Sequence, residues 1–167
     1  MPAIVITAIP FLAWDVAFEK NHIWQFNPDY TLGFNILGLP IEEWLFFFII
    51  PYACFFIYEV IKYFFPSRTT RVIRTLTYLL GIGLFITAIL TSHLNYTFVA
   101  FTLAAAIILV VAKWKIISVQ LSNFFKGYLV SLIPFFLVNG ILTKMPVVLY
   151  NNSENLSFRI YSIPVED

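Results

Sequence analysis

The chain has 167 residues, 60% of them hydrophobic and 11% charged, with a formal net charge of +1. A soluble domain carries about 25% charged residues, so this composition belongs in lipid rather than water. The near-neutral charge excludes nucleic acid as a partner, and a single cysteine, Cys54, excludes a disulfide framework or a thiol metal site.

A spanning helix needs about 20 mainly apolar residues. The first run that qualifies, 2–18, contains Pro10 and has no basic stretch before it, so it does not read as a cleaved leader. Next, Ile23-Trp24-Gln25-Phe26-Asn27 alternates, Pro28-Asp29-Tyr30-Thr31 reads as a turn, and 32–37 alternates again, which predicts a short hairpin. Further spans are predicted over 44–61, 75–92, 96–112 and 127–143, with kinks at Pro51 and Pro134. A second hairpin is expected from 147–150 and 157–161 around Asn151-Asn152-Ser153-Glu154-Asn155. Lys62, Arg68, Arg71, Arg74, Lys113, Lys115 and Lys126 fall on one side, against Lys20, Lys144 and Arg159 on the other. The positive-inside rule then puts the N-terminus in the cytoplasm.

A shift of 124 positions overlays two regions without a gap. Ile9-Pro10-Phe11 meets Ile133-Pro134-Phe135, Lys20 meets Lys144, and Asn27 meets Asn151. Leu32, Phe34, Ile36, Pro40 and Glu42 meet Leu156, Phe158, Ile160, Pro164 and Glu166, while Glu43 meets Asp167 and Asp15 meets Asn139. Membrane composition explains matched Phe and Ile; it does not explain matched Pro, Asn and Glu. The expectation is an all-α polytopic membrane protein of one domain, 1–167, with about five transmembrane helices and two short β-hairpin loops. Its internal parallel repeat has one copy at about 1–65 and a second at about 125–167. A helix follows the acidic motif in the first copy, which predicts a missing partner helix after Asp167.

The acidic motifs are Leu39-Pro40-Ile41-Glu42-Glu43 and Ile163-Pro164-Val165-Glu166-Asp167. Parallel repeats tend to place their site at the interface between copies. One reading is electrostatic: carboxylates in the first turn of a helix complement its dipole. The other is chemical. A carboxylic acid desolvated beside Phe and Trp, with a second carboxylate near it, can hold a proton and give it to a weak base such as a carbon–carbon double bond. Aromatic faces stabilise the resulting carbocation without trapping it. Trp24, Trp44, Phe46, Phe47, Phe48, Tyr52 and Phe135 are candidates, and Asp15, at the outer end of the first helix, joins the acids. Asn27, Asn139 and Asn151 are candidates for orienting groups or, for the loop pair, ordinary turn residues. Glu59 reads as an interfacial partner of Lys62. No glycine-rich dinucleotide loop, no histidine cluster and no paired aspartates are present. A lipid-binding subunit and a proton-coupled transporter remain open on these residues alone.

The run Trp14-Asp15, Trp24-Gln25-Phe26-Asn27, Gly33, Leu39 through Phe47 and Ile50-Pro51-Tyr52 resembles the lycopene cyclase domain family, the membrane-integral type found as heterodimeric, fused or fungal bifunctional cyclases. Leu137 through Thr143 and Ile163 through Asp167 resemble its second half. The resemblance implies a lycopene cyclase of carotenoid biosynthesis, an intramolecular lyase or isomerase that closes lycopene ends into ionone rings. It implies that Glu42, Glu43, Glu166 and Asp167 act as the acid. The substrate side would draw on Trp24, Asn27, Trp44, Phe47, Asn139 and Asn151. No cofactor is demanded, because the reaction is redox-neutral. The implied partners are lycopene or a related forty-carbon carotenoid, the lipid bilayer of the cell (inner) membrane, and a second subunit in a homo- or heterodimer.

Overall fold

The computed structural model describes residues 2–114 and 120–167; Lys115, used above to orient the chain, lies outside them. Among the described residues, five helices are long and apolar enough to cross a membrane: α1 (Pro2–Lys20), α2 (Ile41–Phe64), α3 (Arg71–Leu90), α4 (Asn95–Lys113) and α5 (Leu121–Lys144). Pro10, Pro51 and Pro134 lie inside continuous helices. In lipid, freed backbone groups at proline can be re-satisfied locally. The outward faces are apolar, with Ile6, Phe55, Phe56, Leu79, Ile133 and Leu137 all exposed, as a bilayer-facing surface requires.

Small residues set the helix contacts. α3 and α4 pack most extensively, α2 and α5 next, then α1 and α2. The buried residues of the first two helices are small: Thr77, Gly81 and Ala88 on α3, and Thr97, Ala105 and Ala112 on α4. A Cβ on Gly81 would come within 2.8 Å of Leu109. A Cβ on Gly127 would come within 3.1 Å of Tyr58 Cα, so α2 and α5 touch backbone to backbone there. The α2–α3 loop is fastened to the start of α5. Ser67 N donates to Asn123 Oδ1 at 2.9 Å, and Lys126 Nζ donates to the Phe65 carbonyl at 3.1 Å.

Among the described residues, six short strands cover one end of the bundle: β1 (Trp24–Phe26), β2 (Asn35–Ile36), β3 (Leu39–Pro40), β4 (Val148–Tyr150), β5 (Arg159–Ile160) and β6 (Ile163–Pro164). Two hairpins are present, but their pairing differs from the alternation pattern. β2 pairs with β3 and β5 with β6, whereas β1 pairs with β4 from the other loop. The reason is local. Leu37 and Gly38 both take positive φ (55° and 94°), the geometry of a tight two-residue turn, and Tyr161 does the same at 63°. That turn consumes 35–40 and leaves β1 to find an equal partner. Its register is Trp24 to Tyr150, Gln25 to Leu149 and Phe26 to Val148, centred on two residues 124 apart. The flanking bonds are reciprocal: Asn27 N donates to the Val147 carbonyl at 2.9 Å and Asn151 N to the Ile23 carbonyl at 3.0 Å. A local twofold therefore runs through the strand pair.

The acidic motifs are held under this cover. Leu39 is fully buried against Ala8 and Leu12 of α1, with Trp44 and Phe47 packed around them. Ile163, its counterpart, is equally buried.

Candidate active site

α2 begins at Ile41, not Trp44, so Glu42 and Glu43 both sit in its first turn. Consecutive helical residues point about 100° apart, so the two carboxylates face different neighbours. Glu42 Oε1 accepts from Leu32 N at 2.7 Å, clasping its own loop. Glu43 shares its cavity with Asp15 of α1. In the second copy, Glu166 Oε1 accepts from Leu156 N at 2.8 Å and from Thr97 Oγ1 at 2.6 Å. Asp167 accepts from the hydroxyls of Tyr96 and Tyr150, the latter at 2.7 Å.

Asp15, Glu43, Glu166 and Asp167 line one cavity of about 320 Å³. Its walls are aromatic: Phe11, Trp14, Phe18, Trp24, Phe46, Phe47, Tyr96, Phe135 and Tyr150, with Asn139 and Thr143 between. The rings are mutually fixed. Phe11 stacks on Trp14 and on Phe47, Trp14 meets Phe18 edge-on at 5.1 Å, and Tyr96 stacks on Tyr150 at 6.1 Å. One oxygen each of Asp15 and Glu166, and the indole N–H groups of Trp14 and Trp24, are buried on the cavity without a hydrogen-bond partner in the protein; Glu42 Oε2 and Thr102 Oγ1 are in the same position away from it.

Burial pushes the Asp167 carboxyl above its ordinary value, and neighbouring Glu166 adds to this; hydrogen bonds from Tyr96 and Tyr150 and the charge of Arg159 pull the other way and only partly offset it. Burial likewise raises the Tyr150 phenol, with Asp167 next in importance. The guanidinium of Arg159 lies 5.5 Å from the Tyr150 ring centre and is held by the Ser162 carbonyl and Asn152 Oδ1.

Of the residues singled out in the sequence, Asp15, Trp24, Glu43, Phe47, Asn139, Glu166 and Asp167 come together on this cavity, whereas Glu42, Asn27, Trp44 and Asn151 do not line it. Asn27 and Asn151 make matching turns, each accepting from a backbone N–H two residues on, at 3.1 Å. Trp44 Nε1 donates to the Ile36 carbonyl at 3.2 Å and packs the core under β3. Glu59 pairs with Lys62 at 3.3 Å, away from the cavity. Sequence reading does not single out Tyr96, Thr97, Tyr150 or Arg159. A signal for Tyr150 exists: its counterpart across the repeat is Phe26, so one copy has gained a hydroxyl.

Comparison with known proteins supplies the rest. The bifunctional lycopene cyclase/phytoene synthase of Podospora anserina is 43% identical over 47 residues, 28% of this chain and 8% of that protein. Its namesake from Neurospora crassa is 33% identical over 55 residues, 33% of this chain and 9% of that protein. The matched stretch thus spans less than a tenth of each relative. No solved structure matches the chain. The family model described as lycopene cyclase matches residues 1–61 and 93–167, which takes in both acidic motifs and every residue named on the cavity. By that match over most of its length, the chain belongs to the lycopene cyclase family.

Proposed function

We propose that this chain cyclises the linear ends of lycopene to β-ionone rings, as an intramolecular lyase or isomerase embedded in the cell's inner membrane. The observation that carries the reading is the convergence of four carboxyl groups, from α1, α2 and the segment after β6, on one aromatic-walled cavity. Family membership supports the substrate.

The residues divide the chemistry in two. Two carboxylates sharing so apolar a cavity cannot both ionise cheaply, so Asp15 and Glu43 hold one proton between them among aromatic rings. That proton adds to the less substituted carbon of the terminal double bond and leaves a tertiary cation. The neighbouring double bond attacks this cation, which closes the ring and moves the charge onto a ring carbon. Phe11, Trp14, Phe47 and Trp24 face the charge with their π clouds and offer no nucleophile. Asp167 then removes a ring proton and restores the double bond. Its two tyrosine hydroxyls orient it, and its raised affinity for protons makes it a stronger base than an exposed carboxylate. One proton enters and one leaves, with no exchange of electrons.

The test is expression in lycopene-accumulating cells. Cyclic carotenoid appears with the intact chain and is lost with Asp15→Asn or Asp167→Asn, with the variant protein still in the membrane. Unchanged lycopene with the intact chain refutes the proposal.

A further inference from the structure

A second, larger cavity of about 450 Å³ lies between α2 and α5. It shares Phe46, Phe135, Asn139 and Asp167 with the acid chamber, so the two spaces adjoin at the covered end of the bundle. From there it follows the two antiparallel helices, from Phe46 to Ile57 on α2 and from Asn139 to Tyr128 on α5. Each of those stretches spans about 16 Å at ~1.5 Å rise per residue. The space exists because Ala53, Cys54 and Ser131 are small. It ends where Gly127 lets the backbone of α5 close on Tyr58. The Ile163–Pro164 strand roofs it. Below the shared residues the walls are almost wholly apolar, so nothing there is fitted for chemistry.

We propose that this groove holds the stretch of linear polyene next to the end group while that end group sits in the acid chamber. The proposal rests on the cyclase reading and deepens it. A long hydrocarbon reaching the carboxylates must run along apolar walls as it leaves them, and this groove is the apolar space that adjoins them. The groove flank at Ala53 and Cys54 is exposed towards the bilayer, which gives the hydrocarbon a lateral way in. The floor at Gly127 sets how far the chain can slide and hence which carbons stand beside the acids.

Cys54 provides the probe, because it is the chain's one cysteine and lines the groove. The full chain is reconstituted in phosphatidylcholine vesicles, and the rate of Cys54 alkylation by a membrane-permeant maleimide is measured with lycopene, with an equal amount of saturated hydrocarbon, and with neither. The expected result is several-fold slowing by lycopene alone. Ala53→Trp should raise the KM for lycopene, while Leu79→Trp on the lipid face of α3 should not. Alkylation unaffected by lycopene in a sample that makes cyclic product overturns the groove and leaves the cyclase reading intact. Equal slowing by the saturated hydrocarbon also overturns it, in favour of a lipid acyl chain. Protection by lycopene in a sample that forms no cyclic product supports the groove and refutes the cyclase reading.

Discussion

Glu42 and Glu166 make the same bond 124 residues apart: the Oε1 atom of each accepts the backbone N–H of the leucine ten positions upstream, Leu32 at 2.7 Å and Leu156 at 2.8 Å. The motif's first acid is therefore a clasp in both copies. Only Glu166 also reaches the cavity. A glutamine keeps the accepting oxygen, whereas an alanine removes it. Glu42→Gln should keep most activity, and Glu42→Ala should lower stability by about 0.5–1.5 kcal/mol by removing the acceptor of the exposed Leu32 N–H. Thermal unfolding in detergent, read beside product formation, checks the split. A Glu42→Gln protein that is stable but inactive would put Glu42 back into the chemistry.

The Asp15–Glu43 pair is expected to behave as one unit. Asp15→Asn and Glu43→Gln each keep side-chain size and polarity but leave no carboxyl pair to share a proton. Each should lower turnover by about 10²–10⁴-fold, the usual range for losing a general acid. The double variant should be little worse than either single one, because groups that act together are not additive. Initial rates in proteoliposomes decide this, and fully additive losses would indicate two independent roles.

Asp167 predicts a pH dependence. As the base it must be ionised, so turnover should fall as pH drops through its acid constant, and burial places that constant above the ordinary carboxylate range. Arg159 favours the ionised form. Removing it in Arg159→Gln should therefore carry the acidic limb of the pH–rate profile to higher pH. A limb that stays put, or moves to lower pH, would remove Asp167 from the proton-accepting step.

At the α2–α5 crossing, a Cβ on Gly127 meets backbone rather than a flexible side chain, so neither helix can yield cheaply. Gly127→Val should cost about 1–3 kcal/mol, typical of overpacking. It should also weaken lycopene binding by prising the groove floor open. A thermal midpoint unchanged from that of the intact chain would show that the helices do not need this contact.

The helices were legible because a bilayer demands long apolar runs, and 2–18 through 127–143 supplied them. The acids were legible because Glu42 and Glu166 recur with proline at one spacing. The strand pairing was not, because β1 and β4 are partners across the repeat, and alternation within one loop carries no trace of the other. Tyr96 was hidden for a different reason: it lies on α4, outside the repeat, and reaches Asp167 only through the tertiary fold. Where the copies differ, the sequence was more informative than it first looked. Asp15 against Asn139, and Phe26 against Tyr150, are the differences on which the proposed division between proton holder and base rests.

The most direct measurement of the central claim is isotopic. The purified chain in vesicles is given lycopene in deuterium oxide, and the cyclic product is analysed by mass spectrometry. The predicted result is one non-exchangeable deuterium per ring closed by the intact chain, with neither ring nor label in the Asp15→Asn, Glu43→Gln double variant. Rings formed without deuterium, or labelled rings formed at full rate by the double variant, would contradict it.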